Sequence, residues 1–331
     1  MTIRIGILGA AAIAPSAVIN PGRDNPDFEV IAVAARDPDR AKTYAAKHGI
    51  PNVSRSYDAL IQRDDIDLVY NPLPPAGHAT WSIAALKAGK HVLCEKPFAL
   101  NAAQARRMSE AAATSGRKLI EAFHYRHHNV MKRAVEIVRS RELGAILHAY
   151  ADHLCPLSYL QGNYIWDRDL GGGTLMDQGC YAIHALRSVL DAEPDVLSAT
   201  CKTNGGVDVM TSANLEFSRV PAQIYCSMNA TGYSATLRLE CQNGRMEIEN
   251  YGAPQFSTAL GGIDCRFTVQ VGETVRQEPT TGLSTYAAQL AELGDVLLRG
   301  KPQLVTNADS LANMIVIDAI YAAGGIGRPF G

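Results

Sequence analysis

The chain has 331 residues, of which 47 % are hydrophobic and 19 % charged, a balance typical of a soluble globular protein with about two domains. The formal net charge of −2 excludes the basic surface that nucleic acid or anionic lipid would require. The apolar stretch over residues 5–19 is interrupted by Gly6, Gly9 and Pro15, which excludes an ordinary membrane span there.

The first part of the chain alternates predicted strands and helices, which is the βαβ pattern of a parallel sheet. The predicted strands cover residues 3–8, 29–35, 67–71, 91–95 and 118–123. Between them, Asp37 and Asn101 are typical helix N-caps, and an apolar helix is predicted from His78 to Lys87, ended by Gly89. We therefore expect a parallel α/β domain over residues 1–123.

The second part of the chain, residues 124–331, has a different pattern of predicted helices and strands. A helix is predicted over 129–141, and beyond residue 144 apolar and polar residues alternate, as at 237–240 and 246–249. Period two indicates a mainly antiparallel sheet with one covered face. Asn243-Gly244 predicts a hairpin turn between those two strands, and the last predicted helices cover 285–298 and 307–323.

The turn after the first strand resembles a dinucleotide-binding fingerprint. Residues 9–14 read GAAAIA, so Gly9 makes the tight turn while Ala11 stands where the second glycine of Gly-x-Gly-x-x-Gly/Ala is usual. Its position between a strand and a helix favours cofactor contacts by Gly9, Ala11, Ala12 and Ile13. The alternative is an alanine-rich strand-to-helix turn that binds nothing.

The second predicted strand ends at Arg36, where NAD enzymes usually carry an acidic side chain for the ribose hydroxyls. A guanidinium suits a 2′-phosphate instead, and Arg40 one helical turn later could reinforce it. Asp37 follows Arg36 but is better placed as the helix N-cap. The sequence therefore predicts NADP in preference to NAD.

Two later strands also end in residues that suit a cofactor site, because ligands of open α/β sheets lie at the carboxyl edge. Asn71-Pro72-Leu73-Pro74-Pro75 follows one strand and precedes His78, and this loop is predicted to form a wall against the nicotinamide, with Asn71, Pro72, Leu73 and His78 as cofactor contacts. A rigid loop that merely ends the strand is the alternative, and both can hold. Glu95-Lys96 follows the next strand and places a lysine at the reacting end of the cofactor.

A second functional segment follows three glycines at residues 171–173. Asp177, Tyr181 and His184 are spaced four and three apart, so a helix would place a carboxylate, a phenol and an imidazole on one face. Just before the glycines, Tyr164 and Trp166 could line a sugar pocket or serve packing. The alternative for the helix is a polar face buried between domains.

Together these segments closely resemble the glucose–fructose oxidoreductase / inositol dehydrogenase (Gfo/Idh/MocA) family of NAD(P)-dependent enzymes, over essentially the whole chain. Residues 123–126, FHYR, also fit the family's crossover between domains. The resemblance implies an N-terminal Rossmann domain over 1–123. It implies a C-terminal α+β domain with an open, mainly antiparallel sheet over 124–331, for substrate binding and oligomerisation. Family members oxidise or reduce sugars, cyclitols and related diols, usually as dimers or tetramers.

The resemblance also implies roles for single residues. Lys96 matches the lysine that hydrogen-bonds the reacting oxygen, Tyr181 the catalytic tyrosine or histidine, and Asp177 the aspartate that orients the substrate hydroxyl. Free tyrosine titrates at about 10, and a neighbouring ammonium would lower that pKa toward the range of a useful base. Glu95 could anchor Lys96 or contact the cofactor, and Arg126 could contact the cofactor or cap the crossover helix.

Some positions depart from the family pattern. Ala11 replaces a glycine, Asn129 stands where many relatives have proline, and His184 stands where many have aspartate. Residues 34–37, AARD, are similar to the NADP-using dihydrodiol and aldose dehydrogenase branches. The resemblance implies a sugar, polyol or diol substrate. His184, Tyr164 and Trp166 are further candidate contacts for that substrate.

The seven cysteines are dispersed without a Cys-x-x-Cys pair, which indicates reduced thiols and a cytoplasmic location. No metal is predicted, although His124, His127 and His128 have helical spacing. We expect a small-molecule sugar or polyol substrate, no nucleic-acid or membrane partner, and a homodimer or homotetramer. The alternatives are a non-catalytic NADP-binding regulator of the same fold and a cofactor-assisted glycosidase.

Overall fold

The computed structural model describes residues 2–254 and 264–327, and the chain divides into two compact units. The first unit holds the chain up to His124 together with Tyr286–Leu311. The second holds Tyr125–Thr285 and the chain from Ala312 onward. The predicted boundary at 123/124 lies one residue before the first crossing of the chain, which comes after His124. The structure assigns Tyr286–Leu311 to the first unit, whereas the predicted boundary places this segment in the second.

The first unit is built on a six-stranded parallel sheet with the strand order β3-β2-β1-β4-β5-β6. The order reverses beside β1, which is the topological switch point where Rossmann folds bind their ligands. Its strands are β1 (Ile3–Leu8), β2 (Phe28–Ala34), β3 (Asn52–Val53), β4 (Leu68–Asn71), β5 (His91–Cys94) and β6 (Leu119–Glu121). Its helices are α1 (Asn20–Arg23), α2 (Pro38–His48), α3 (Tyr57–Ile61), α4 (Pro75–Lys87), α5 (Ala102–Ser115) and α8 (Thr285–Arg299), which begins in the second unit.

The predicted helix starts are confirmed at two caps. The Asp37 side chain accepts hydrogen bonds from the first-turn N–H groups of α2, and the Asn101 side chain accepts one from Gln104 at the start of α5. Helix α4 begins at Pro75, three residues before the predicted His78, because proline is favoured in the first turn of a helix.

The core of the first unit lies around the inner strands of the sheet. It contains the fully buried Ile5 and Ile7 of β1, Leu68 and Tyr70 of β4, and Leu93 of β5. Three buried side chains of α8 join the same cluster, namely Tyr286, Leu290 and Leu293. The late helix predicted over 285–298 is therefore part of the apolar core of the first unit.

The second unit contains an eight-stranded sheet with the order β14-β13-β12-β11-β7-β10-β9-β8. Only the central β7–β10 pair is parallel among these strands, so the prediction of a mainly antiparallel sheet is confirmed. The strands are β7 (Ile146–Leu154), β8 (Asp195–Asn204), β9 (Val207–Phe217), β10 (Val220–Ser227), β11 (Thr236–Cys241), β12 (Gly244–Glu249), β13 (Arg266–Val271) and β14 (Thr274–Gln277). Helices α6 (Asn129–Ser140) and α7 (Cys180–Leu190) belong to this unit, and α9 (Asn307–Ala323) begins in the first unit and ends here.

The two faces of this sheet differ sharply in polarity. Ala151 of β7, Ile224 of β10 and Leu237 of β11 are fully buried neighbours on the covered face. On the other face a row of eight polar side chains crosses every strand in register, and none of them is buried. The row runs Ser198, Asn214, Gln223, Tyr150, Arg238, Glu247, Thr268 and Gln277. The open face is thus polar at this row.

The hairpin between β11 and β12 is present, but its turn lies one residue earlier than predicted. Cys241 pairs with Gly244, so Gln242 and Asn243 form the two-residue loop and Gly244 is already in the strand. A side chain at Gly244 would overlap the backbone carbonyl oxygen of Gln270 in β13. The glycine therefore serves the close approach of β13 rather than the turn. In the described parts of the chain, no helix has the length and apolar character needed to cross a bilayer.

Candidate active site

The glycine-rich turn follows β1 in the way the fingerprint predicts. Gly9 has a φ of +88°, in the left-handed region that favours glycine, and its N–H donates to the carbonyl of Ala34 at 2.6 Å. A Cβ atom at Gly9 would lie 3.1 Å from the Leu73 side chain and 3.9 Å from the Tyr57 hydroxyl. Leu73 and Tyr57 therefore stand directly over the turn.

Four consecutive N–H groups in the turn lack a partner within the described residues, and three of them belong to residues with exposed surface. Those of Ala10, Ala11, Ala12 and Ile13 have no hydrogen-bond partner anywhere in the described chain, while Ala12 is exposed and Ala11 and Ile13 are half-buried. Successive unpaired N–H groups at a helix start form an anion-binding site. The turn thus fits a pyrophosphate despite the alanine at position 11.

The end of β2 carries the predicted pair of arginines, and the two differ in their contacts. Arg36 is exposed. Arg40 donates from Nη2 to the carbonyl oxygen of Ala10 at 3.0 Å, so it is bonded to the turn itself. Burial raises the pKa of Tyr57, and the charges of both arginines oppose that rise, which indicates that both guanidinium groups lie near this phenol. Two cations beside the end of β2 suit a 2′-phosphate.

The side chains of Asn71 and His78 are both fully buried and hydrogen-bonded to neighbouring protein groups. The Asn71 amide donates to the Ser82 hydroxyl and the His78 carbonyl, while its oxygen accepts from the N–H of Leu73. The His78 ring lies between two carbonyl oxygens, with Nε2 2.7 Å from that of Leu73 and Nδ1 2.9 Å from that of Pro97. Of the predicted wall, Pro72, Leu73 and Pro74 are half-buried, whereas Asn71 and Pro75 are buried.

The carboxylate of Glu95 is fixed from two sides. It accepts from the buried Tyr70 hydroxyl at 2.7 Å and from the backbone N–H of Lys96 at 3.3 Å. Burial, with the Glu95 charge adding to it, raises the pKa of Tyr70 and keeps this phenol a donor. These bonds link Glu95 to the peptide that carries Lys96, whose own side chain is half-buried, and are compatible with the first of the two roles considered for Glu95.

In the second unit the predicted helix that carries Asp177, Tyr181 and His184 starts as a π-helical turn, Leu175–Gly179, and continues as α7. Such turns recur at functional sites. Asp177 is half-buried, Tyr181 is 6 % exposed and His184 is fully buried. His184 Nδ1 lies 2.6 Å from the hydroxyl of buried Tyr125, so His184 is hydrogen-bonded to another side chain.

Tyr181 lies in an aromatic cluster of the second unit. Its ring centroid is 4.7 Å from that of His153 and 5.5 Å from that of Tyr125. Tyr251 packs against Tyr125 at 5.4 Å, and Tyr233 packs against His153 at 5.5 Å. The sequence analysis missed His153, Tyr233 and Tyr251 because they come from separate strands and loops with no shared motif.

Asp208 binds the first residue of the π-helical turn, Leu175. Its buried carboxylate accepts from the backbone N–H of Leu175 at 2.8 Å, from the Thr211 hydroxyl at 2.9 Å and from the Tyr321 hydroxyl at 2.7 Å. A side chain at Gly173, where φ is +112°, would overlap this carboxylate. The glycines at 171–173 are thus needed for backbone conformation and close approach, and Asp208 is a site-supporting residue that the sequence did not reveal.

Tyr164 and Trp166 occupy a short 3₁₀ turn, Tyr164–Trp166. Trp166 packs against Val207, Val209 and Met228 and also lines an open cavity of about 300 Å³, whereas Tyr164 is outside the described lining of that cavity. Both roles considered for Trp166, packing and pocket lining, are therefore compatible with its position.

Arg126 and the neighbouring histidines lie around the crossover. Arg126 is half-buried in the 3₁₀ turn His124–His127. The His128 side chain caps α6 by accepting from Val130, and the His124 ring packs against Tyr286 at 4.1 Å. Within residues 2–254 and 264–327, no group of three or more histidine, cysteine, aspartate or glutamate side chains is arranged to hold a metal.

Comparison with known proteins gives two family matches. Residues 3–123 match the oxidoreductase family with an NAD-binding Rossmann fold, and residues 131–247 match the GFO/IDH/MocA C-terminal domain. A D-xylose 1-dehydrogenase (NADP(+)) of Haloferax volcanii is 34 % identical over 324 residues, covering 97 % of both chains. The chain belongs to the Gfo/Idh/MocA family.

Other members of the Gfo/Idh/MocA family are similar over nearly the full length. A dTDP-3,4-didehydro-2,6-dideoxy-α-D-glucose 3-reductase of Actinomadura kijaniata is 36 % identical over 321 residues, covering 96 % of this chain and 94 % of its own. KijD10, a 3-ketoreductase from the same organism solved with NADP and TDP-benzene, superposes with a TM-score of 0.89 at 29 % identity, covering 98 % of each chain. The predicted family, fold class and oxidoreductase class are thus confirmed, and the predicted NADP agrees with the cofactor of these relatives.

Proposed function

We propose that this Gfo/Idh/MocA protein is an NADP-dependent dehydrogenase or reductase that acts on a CH–OH or keto group of a sugar, a sugar derivative or a related polyol. The observation that carries the proposal is the arrangement at one edge of the first sheet. The four unpaired N–H groups follow β1, and Lys96, held through Glu95, follows β5. Parallel strands bring their carboxyl ends to the same edge, which is where α/β sheets bind ligands.

The proposed chemistry assigns one role each to Tyr181 and Lys96. In oxidation, the phenolate of Tyr181 takes the proton of the substrate hydroxyl, and the Lys96 ammonium hydrogen-bonds the same oxygen. When bound, NADP supplies the acceptor for the hydride that leaves the carbon. In reduction the Tyr181 phenol returns its proton to the oxygen while Lys96 polarises the carbonyl. Asp177 is assigned to a substrate hydroxyl. These roles rest on the family resemblance.

The relatives support a sugar-type substrate without naming one for this chain. The Haloferax enzyme is named for D-xylose, the Actinomadura enzyme for a keto-sugar nucleotide, and a structural neighbour from Caulobacter crescentus is an aldose–aldose oxidoreductase, at 26 % identity and a TM-score of 0.88. KijD10 structures also exist for variants in which a tyrosine is replaced by phenylalanine or a lysine by alanine. The same residue types are assigned here to Tyr181 and Lys96.

The test is a screen at the absorbance band of reduced nicotinamide, with NADP(H) and NAD(H), across aldoses, inositols, diols and keto-sugars. We expect turnover with at least one class and a preference for NADP(H). Tyr181→Phe and Lys96→Met should each lower kcat by about 10²- to 10⁴-fold, because proton transfer and charge stabilisation contribute on that scale. The Kd of NADPH, measured by its fluorescence, should change little for Tyr181→Phe.

The matched control is Tyr225→Phe, which removes a hydroxyl from a half-buried tyrosine of β10 outside the described cavity lining and the aromatic cluster, and it should leave kcat unchanged. Near-normal kcat in both Tyr181→Phe and Lys96→Met would overturn the assigned roles. Tight NADPH binding without turnover on any substrate would favour the regulator, and glycoside cleavage without net cofactor reduction would favour the glycosidase.

We also propose a homodimer or homotetramer and a cytoplasmic location. The support for the oligomer is the family resemblance alone. Light scattering at micromolar concentration tests it, and a monomer under those conditions would contradict it.

A further inference from the structure

The turn that would hold the pyrophosphate is itself held by two side chains of α2. Arg40 donates to the carbonyl oxygen of Ala10 at 3.0 Å, and the Tyr44 hydroxyl donates to the carbonyl oxygen of Ala11 at 2.8 Å. The two are four residues apart, so they stand one above the other on the same face of the helix. Two consecutive carbonyls of the turn are thus bonded to one helix.

This arrangement fixes where the N–H groups point. In a trans peptide, the C=O and the following N–H lie in one plane and point in opposite directions. With the carbonyls of Ala10 and Ala11 turned toward α2, the N–H groups of Ala11 and Ala12 are turned away from it. These are two of the four N–H groups that have no partner within the described residues. The bonds from α2 therefore present them to an anion.

We propose that Tyr44 and Arg40 form a latch that orients the dinucleotide turn, and that Tyr44 is a positioning residue for cofactor binding. The proposal rests on the cofactor site of the proposed function. Tyr44 is half-buried beside Ala10, Ala35 and Ala41, and its ring centroid is 4.5 Å from that of His48. Burial raises the pKa of Tyr44 to about 12, so the phenol keeps its proton at neutral pH and remains a donor.

The latch also changes the role of Arg40. A purely 2′-phosphate-binding arginine would discriminate NADPH from NADH and leave NADH binding alone. An arginine bonded to Ala10 orients the turn for the pyrophosphate, which both cofactors share. Arg36 is exposed beyond the end of β2, and within the described residues it makes no hydrogen bond to the turn, so selectivity for the 2′-phosphate falls mainly to Arg36.

The experiment compares the Kd of NADPH and of NADH, measured by nucleotide fluorescence and by calorimetry without substrate. Tyr44→Phe removes one hydroxyl and keeps the ring. It should weaken both cofactors by the same factor, about 3- to 10-fold, the range for one lost hydrogen bond. Arg40→Met should weaken both, and Arg36→Ala should weaken NADPH alone. Thr43→Ala, whose exposed hydroxyl bonds only to the Asp39 carbonyl of the same helix, is the matched control and should bind as wild type.

Each outcome separates the latch from the proposed function. Unchanged binding of both cofactors by Tyr44→Phe, or an Arg40→Met effect confined to NADPH, would overturn the latch while leaving the enzyme assignment intact. Failure of the wild-type protein to bind either cofactor would overturn the proposed function itself. If Tyr44→Phe unfolds at a lower temperature than Thr43→Ala, Arg40→Met decides the matter through its effect on NADH.

Discussion

His78 connects two loops of the first unit, and its protonation should be visible in the stability of the protein. The buried ring reaches the carbonyl oxygens of Leu73 and Pro97, which flank the turn and Lys96 respectively. Burial lowers the pKa of His78 from its ordinary value of 6.5 to about 4, against hydrogen bonds to backbone carbonyls that favour the charged ring. The folded state thus holds His78 neutral at a pH where the unfolded chain would protonate it.

The sign of the pH effect follows from this lowered pKa. Between about pH 6.5 and 4 the unfolded state binds the proton more readily, so the free energy of unfolding falls as the pH falls. From pH 7.5 to 4.5, the two values of 6.5 and about 4 correspond to a loss of about 2.5 kcal/mol from this one group. His78→Gln does not titrate, so its stability should fall by about 2.5 kcal/mol less than that of the wild type over the same range.

The assay is urea unfolding at pH 7.5, 5.5 and 4.5, followed by the fluorescence of Trp81, which lies one turn after His78 on α4. Trp166→Phe is introduced in every protein compared, so that the signal comes from the first unit alone. At pH 7.5 His78→Gln should be less stable by about 1–3 kcal/mol, the cost of disturbing a buried hydrogen-bonded group. Parallel loss of stability in wild type and variant between pH 7.5 and 4.5 would refute the reasoning, and His78→Asn provides a second non-titrating side chain.

Two further stability predictions concern the second unit, each measured by urea unfolding at pH 7.5. Asp208→Ala leaves the buried donors of Leu175, Thr211 and Tyr321 without an acceptor and should cost about 3 kcal/mol, whereas Tyr321→Phe should cost only about 1 kcal/mol. Equal costs would show that the carboxylate does not hold all three. Gly244→Ala should cost about 2–3 kcal/mol because its methyl group overlaps the neighbouring strand, and a change below about 0.5 kcal/mol would contradict that overlap.

Much of the fold could be predicted from local sequence patterns. The Asp37 and Asn101 caps, the strand before Gly9 and the alternation in β11 and β12 are each set by residues within a few positions of one another. The hairpin is the instructive exception. The Asn-Gly pair predicted a hairpin that is present, but its glycine lies in the strand and not in the turn. The glycine is needed for the close approach of β13, a contact that is remote in sequence.

The residues of the candidate site also differ in whether the sequence could reveal them. The turn, Arg36 and Lys96 belong to contiguous motifs and could be recognised from the sequence. The side chains that hold them could not, because Tyr70 is 25 residues from Glu95 and Tyr44 is 33 residues from Ala11. Neither tyrosine lies in a motif, and only the packing of β4 and α2 brings their hydroxyl groups to these acceptors. His184 is bonded to Tyr125, which is 59 residues away in the sequence, so this partner too could not be recognised from a motif.

The return of the chain to the first unit has a consequence for how this protein could be divided or recombined. The chain crosses between the units after His124, after Thr285 and again after Leu311. A fragment cut at the first crossing would contain every strand of the parallel sheet, yet it would lack Tyr286, Leu290 and Leu293 from its core. An exchange of cofactor domains between relatives at that single point would therefore pair each sheet with a foreign helix. A workable chimera must carry residues 286–311 along with the first 124, as two separate stretches of one inherited unit.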